Sequence, residues 1–179
     1  MPPLQPVEPP FSPEIEAILA RYPQQDGYLL SLFRTFANSR RFLESCVPNL
    51  LDEASPLDLH ARELVILRTT ANRSCAYEWG VHVSIFSKVA SLSEQQVLGT
   101  TEPAPTCFDD RDLALIKIVD QLCHQSSLDD HAEEAFERHW DAAQQLEIIA
   151  LVGTYTTVSL VANTAKLPPE PFAASFPVS

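Results

Sequence analysis

The chain has 179 residues, 45% of them apolar, with 12 basic against 24 acidic side chains and a formal net charge of −12. That length and apolar fraction suit one folded domain with a sizeable core and exclude a disordered chain. The charge excludes a nucleic-acid partner, because neutralising phosphates takes clustered Lys and Arg, and Arg40-Arg41 is the longest basic run.

In chain order, the first ten residues hold five prolines, so residues 1–11 read as an extended arm that either wraps a neighbouring subunit or stays disordered. A P-x-x-P pattern at Pro3 to Pro6 lacks the basic neighbours of a recognition ligand. Ser12-Pro13 is an N-cap followed by proline at the first helical position, opening a helix that ends before Pro23. Residues 26–37 carry Leu29, Leu30, Phe33 and Phe36 at helical spacing. A third helix starts near Ser39 and is interrupted around Pro48. Asp58 caps a fourth that runs to about Thr70, and a turn at 71–74 leads into a fifth from Cys75 to about Ala90, with Ser74 as its cap.

Ser93-x-x-Gln96 is a capping box for a short helix, and 101–108 is a loop. Residues 109 to about 124 are amphipathic, with Leu113, Ile116, Ile118, Val119 and Leu122 on the apolar side. Another helix starts at Asp129 or Asp130 and runs through Trp140. The stretch Ala142 to Lys166 is rich in β-branched residues, so its periodicity alone does not separate helix from strand. Helix is the reading, because a lone strand would have no partner. Its most apolar part, Leu146 to Ala162, contains Glu147, Gly153 and several threonines, and is too short and polar to span a membrane. Residues 167–179 form a second proline-rich tail. The expectation is an all-α domain over 12–166 flanked by two arms.

Only four glycines occur, too few for a Walker loop or a G-x-G-x-x-G turn. The N-terminus lacks a basic region followed by an apolar run, and Cys46, Cys75, Cys107 and Cys123 stand far apart without a C-x-x-C. Reduced thiols in a cytoplasmic protein are therefore expected rather than disulfides. His131, Glu134 and His139, with Cys123-His124 upstream, match no zinc spacing, so no metal is assigned. An anionic substrate would need a local basic pocket, for which Arg62, Arg68 and Arg73 are the candidates.

The chemically informative stretch runs from Glu63 to His82. At 100° per residue, Cys75, Glu78 and His82 fall within roughly 60° of one another, with Trp79 and Phe86 bordering them. A carboxylate four residues before an imidazole can orient it or trade protons with it. Burial beside Trp79 would raise the Glu78 pKa, and a helix N-terminus would favour a Cys75 thiolate. The plain alternatives are a surface Glu78–His82 pair and a Cys75 and Trp79 that simply pack.

Glu63, then Cys75 twelve residues on, Glu78 three further and His82 four further, within A-R-E-L-V-I-L-R and Y-E-W-x-x-H, resembles the carboxymuconolactone decarboxylase and alkylhydroperoxidase D superfamily. The similarity extends to Leu146–Asn163 with its Gly153-Thr154-Tyr155. It implies an all-α bundle, a homo-oligomer (dimer, trimer or hexamer), and Glu63, Cys75, Glu78 and His82 as catalytic residues. Tyr77, Trp79 and Arg73 are the candidate substrate contacts, and no cofactor is implied. Glu78 stands where the peroxidase branch has its attacking cysteine, so this motif cannot run an internal disulfide cycle. Three functions follow. One is a decarboxylase-like or proton-transfer enzyme for a small organic acid or lactone. The second is a one-cysteine peroxidase using Cys75. The third is a non-catalytic oligomer or ligand-binding module, which predicts a packed site with no cavity.

Overall fold

Helix α4, Leu59–Asn72, is the organising element of the computed structural model, which describes residues 4–177. Ten consecutive residues of this helix, Ala61 to Thr70, are buried, so it is enclosed on every side. The Asp58 carboxylate caps its first turn by accepting from the Ala61 N–H. Around it lie α5 (Ala76–Phe86), α7 (Asp110–Gln125) and α9 (Ala142–Ala165), all in direct contact with it.

The N-terminal helices α1 (Pro13–Leu19), α2 (Ser31–Phe36) and α3 (Arg40–Ser45) form an outer wall, while α6 (Glu94–Gly99) and α8 (Asp130–His139) complete the bundle. The expected caps at Ser12 and Asp58 are in place, as is the Ser93–Gln96 capping box, and Ser39, Asp109 and Asp129 cap the helices that start beside them. Among the described residues no strand forms beyond one isolated bridge, Gln25 to Tyr28.

Two helix starts differ from expectation. α2 begins at Ser31 rather than 26, because Asp26 and Gly27 take positive φ (51° and 80°) in a turn that breaks the stripe. α5 begins at Ala76: Ser74 has φ +49°, so it cannot cap, and Cys75 itself occupies the cap position at φ −95°, ψ 80°.

α9 is helical over its whole length, as expected. It runs for 24 residues, longer than the apolar stretch read from sequence, and is long and apolar enough to cross a bilayer by length and composition alone. Its buried residues Ile148, Leu151, Val152, Tyr155, Val158, Ser159 and Ala162 instead form one stripe against the bundle, as in a core helix.

The described parts of both arms lie on the body of their own chain. The described part of the first arm hydrogen-bonds the Arg34 carbonyl through the Val7 N–H and packs Val7 and Phe11 on the N-terminal helices. Pro3 of the P-x-x-P pattern lies outside the described residues. The C-terminal arm folds back across α5, where the Ala174 N–H donates to the Gly80 carbonyl and Ser84 Oγ donates to the Phe172 carbonyl.

Candidate active site

Three helices deliver the polar groups of the site to one point. α4 carries Glu63 in its enclosed middle, α5 carries Glu78 and His82 one turn apart, and α9 carries Tyr155 on its inward stripe. His82 is fixed from two sides: Nδ1 lies 2.7 Å from Glu63 Oε2, and Nε2 lies 3.0 Å from the Tyr155 hydroxyl. Phe86 packs its ring at 5.1 Å from the imidazole, and Tyr155 meets it edge-on at the same distance. Glu78 Oε2 stands 3.8 Å from His82 Nε2, beyond a hydrogen bond, and its other oxygen has no partner. Arg62 backs the assembly with Nε 3.5 Å from Glu63 Oε1, an ion contact rather than a hydrogen bond.

Burial sets the protonation states. It pushes the Glu78 carboxyl up to about 7, with the nearby His82 pulling down and the Glu170 charge adding to the rise. Burial pushes His82 down, but the charge and hydrogen bond of Glu63 outweigh it and leave the imidazole more basic than usual. Tyr155 is held well above its ordinary range by burial and by the charges of Glu78 and Glu63, so it stays a neutral donor. A carboxyl that titrates near neutrality, an imidazole held by a carboxylate and a phenol that keeps its proton make up an acid–base set.

These groups form the floor of a cavity of about 940 Å³, lined by Glu78, His82, Phe86 and Tyr155 below and by residues of α1–α3 and the segment 47–51 above. Glu63 reaches it only through His82. Cys75 does not line it. Because Cys75 precedes the helix, its side chain escapes the 100° rule and points into the apolar cluster with Leu32, Phe36 and Val158, fully buried. That burial raises the thiol pKa against the pull of the Glu78 and Tyr77 N–H groups, the reverse of the expected thiolate.

The three candidate substrate contacts also stand elsewhere. Tyr77 and Trp79 flank Glu78 at a helical residue's turn on either side, so both face away from the cavity. Tyr77 donates to Glu170 and accepts from the Leu32 N–H, while Trp79 donates to Thr100 Oγ1 and packs on Phe176. The expected rise of the Glu78 pKa is present, with burial as its main cause. Arg73 donates to Thr156 Oγ1 and the Cys123 carbonyl. Arg68 is engaged with Asp120 and the carbonyls of Thr100 and Glu102. No basic pocket forms from these residues.

Tyr155 is the site residue that sequence reasoning missed. It lies inside the Gly153-Thr154-Tyr155 stretch that carries part of the resemblance, seventy-three positions from His82, and only the packing of α9 on α5 joins them. Among the described residues no group of three His, Cys, Asp or Glu side chains could hold a metal ion.

The class defined here is an all-helical fold enclosing a Glu–His–Tyr chain beside a buried carboxyl whose pKa is pushed up to about 7. No family model matches the sequence, and no curated protein matches it. Among solved structures, the chain is similar to a peroxidase-related protein from Silicibacter sp. TM1040, with a TM-score of 0.77 at 14% identity over 94% of this chain and 93% of that one. The likeness shows a shared fold, in line with the all-α architecture that the motifs implied.

Proposed function

We propose that this protein is a proton-transfer enzyme, of the carboxymuconolactone decarboxylase and alkylhydroperoxidase D type, acting on a carbonyl compound or lactone. The observation that carries this reading is Glu78, a buried carboxyl with a pKa near 7 that shares a cavity floor with an imidazole locked by Glu63. His82 Nε2 takes a proton from the carbon beside the carbonyl, and the C–H electron pair becomes the C=C bond of an enol. The carbonyl oxygen receives the Glu78 proton as its π bond opens. The imidazolium then gives its proton to the same or a conjugated carbon while the enol O–H returns its proton to Glu78, which restores the carbonyl and the enzyme. Glu63 holds the imidazole in one tautomer and stabilises its charged form, and Tyr155 holds Nε2 until substrate arrives.

A one-cysteine peroxidase is the reading that the neighbour's description brings forward. It asks Cys75 to be an accessible thiolate, and a fully buried thiol with a raised pKa lacks both properties. A silent oligomer asks for a packed site, against which the cavity speaks. The four free cysteines support a reducing, cytoplasmic setting. For the homo-oligomer implied by the resemblance, we place the contact on the outer face of α9, where Leu146, Ile149 and Leu160 are exposed.

The test is deuterium uptake from heavy water into enolisable lactones and ketones, followed by mass spectrometry. Wild type should catalyse uptake, and His82→Ala should slow it by about 10²–10⁴-fold. No uptake with any substrate, alongside peroxide consumption that vanishes in Cys75→Ser, would replace this reading with the peroxidase.

A further inference from the structure

We infer that the substrate is uncharged and largely apolar, with one oxygen function at the cavity floor and a hydrocarbon body filling the space beneath α1–α3. This inference rests on the acid–base reading of the same site and goes further by naming the substrate class.

The first argument is charge. Among the described residues, the one basic side chain lining the cavity besides His82 is Arg21, which is exposed and shares the rim with the exposed Glu44. His82 already faces Glu63 at 2.7 Å, so a charged imidazole is neutralised before any ligand enters. A substrate carboxylate at the floor would sit beside the Glu78 carboxyl, with the His82 charge already matched by Glu63 and no other cation nearby among the described residues to offset its desolvation. The three arginines that could have served, Arg62, Arg68 and Arg73, are held outside the cavity.

Polarity of the floor is the second argument. Glu78 has a buried oxygen with no partner, and Tyr155 has a hydroxyl held protonated. A carbonyl oxygen can accept from Glu78, as the enolisation step requires, and from the Tyr155 hydroxyl once that leaves His82 Nε2. The floor needs one acceptor and nothing larger.

The third argument is size and lining. A cavity of about 940 Å³ is at the top of the ~300–1,000 Å³ range of ligand sites. Above the floor the apolar part of its walls, the larger part, comes from Ile18, Leu30, Phe33, Leu43, Val81 and Ile85, with Gln24, Gln25, Ser45 and Asn49 lining it as well. A bare lactone ring would leave most of that surface in contact with trapped water, whereas an alkyl or aryl body displaces the water. The chemistry follows from the charge. Decarboxylation requires a substrate carboxylate, so a neutral substrate leaves proton transfer, an isomerisation through an enol, as the reaction.

The test is titration calorimetry on wild type with three probes: γ-dodecalactone, its ring-opened hydroxy acid, and γ-valerolactone. γ-Dodecalactone should bind at least about a hundredfold more tightly than either of the others. Methyl shifts in labelled wild-type protein should cluster at Val81, Ile85 and Leu30. Equal or tighter binding of the hydroxy acid overturns the neutral class, equal binding of γ-valerolactone overturns the apolar body, and shifts clustered elsewhere overturn the site. Failure of all three probes to bind overturns the substrate class as a whole. Binding is read without turnover, so tight binding of γ-dodecalactone with no deuterium uptake into any carbonyl would sink the acid–base reading alone.

Discussion

At the scale of single residues, the hydroxyl of Tyr155 does something its ring alone cannot. It occupies His82 Nε2 at 3.0 Å in a buried site, where an unpartnered nitrogen is costly. Tyr155→Phe keeps the ring that meets the imidazole edge-on and deletes only the hydrogen bond. Deuterium uptake should fall about tenfold, a typical worth of one such bond, and the His82 titration followed by NMR should shift while the fold is retained. An unchanged titration would remove Tyr155 from the chain of contacts. The cysteines make a second residue-scale prediction. Native protein treated with an alkylating reagent should be modified first at exposed Cys46 and then at half-buried Cys107, while buried Cys75 and Cys123 react only on unfolding. Labelling of Cys75 in the folded state, located by peptide mapping, would revive the peroxidase. Glu78 and His82 were legible in the sequence because both sit inside one regular helix, where spacing fixes direction, whereas Glu63, on α4, entered only through the family resemblance. Cys75 was misplaced for the complementary reason: the helix starts one residue later, and the spacing rule does not reach a cap residue.

The element that departs most from its sequence pattern is the C-terminal arm. Four prolines in its last twelve residues rightly signalled non-helical chain, but proline content says nothing about where an extended segment lies. Its anchor is Glu170, buried and carried between Pro169 and Pro171. Its carboxyl accepts from the Ser31 N–H at 2.7 Å, from the Tyr28 hydroxyl at 2.9 Å, and from the Tyr77 hydroxyl. It thereby caps α2 and ties the arm to α5. A Cβ at Gly80 would run into the Ala174 carbonyl, so α5 can hold the arm this close only with glycine there. Glu170→Ala leaves three donors to find new partners, at a cost on the order of 3 kcal/mol, or roughly 10 °C in a thermal melt of a chain this size. Glu170→Gln, which keeps an acceptor, should lose much less. Equal melts for wild type and Glu170→Ala would show that the arm is not anchored through this residue. The helices themselves were easier to read. Asp and Ser caps marked their starts directly, whereas α9 was settled only by asking where a strand would find its partner.

For the whole molecule, the site has a thermodynamic consequence that can be measured without any substrate. Glu78 has a folded pKa of about 7 against an ordinary 4.5, so between those values the native protein keeps a proton that the unfolded chain releases. Stability must then fall as pH rises through that window, by on the order of 3 kcal/mol in all, and flatten above it. His82 acts in the same direction. Its folded pKa is raised, so its contribution is complete below about 6.5 and is lost as pH climbs through the raised value. His60, where Asp112 outweighs burial, adds to the same trend from the first turn of α4. Exposed Asp129, with its lowered pKa, opposes the trend, but its effect belongs to more acidic solution. Denaturant unfolding of wild type should therefore show decreasing stability from pH 5 to pH 8. Glu78→Gln should flatten the part of that slope below pH 7 and leave the protein more stable than wild type at pH 8, while abolishing its role as proton donor. His82→Gln at the same two pH values separates the imidazole's share. A wild-type slope that persists undiminished in Glu78→Gln would mean that the carboxyl is ionised in the folded state. The cavity floor would then present a fixed negative charge in place of a proton donor, and the enol mechanism would lose its acid.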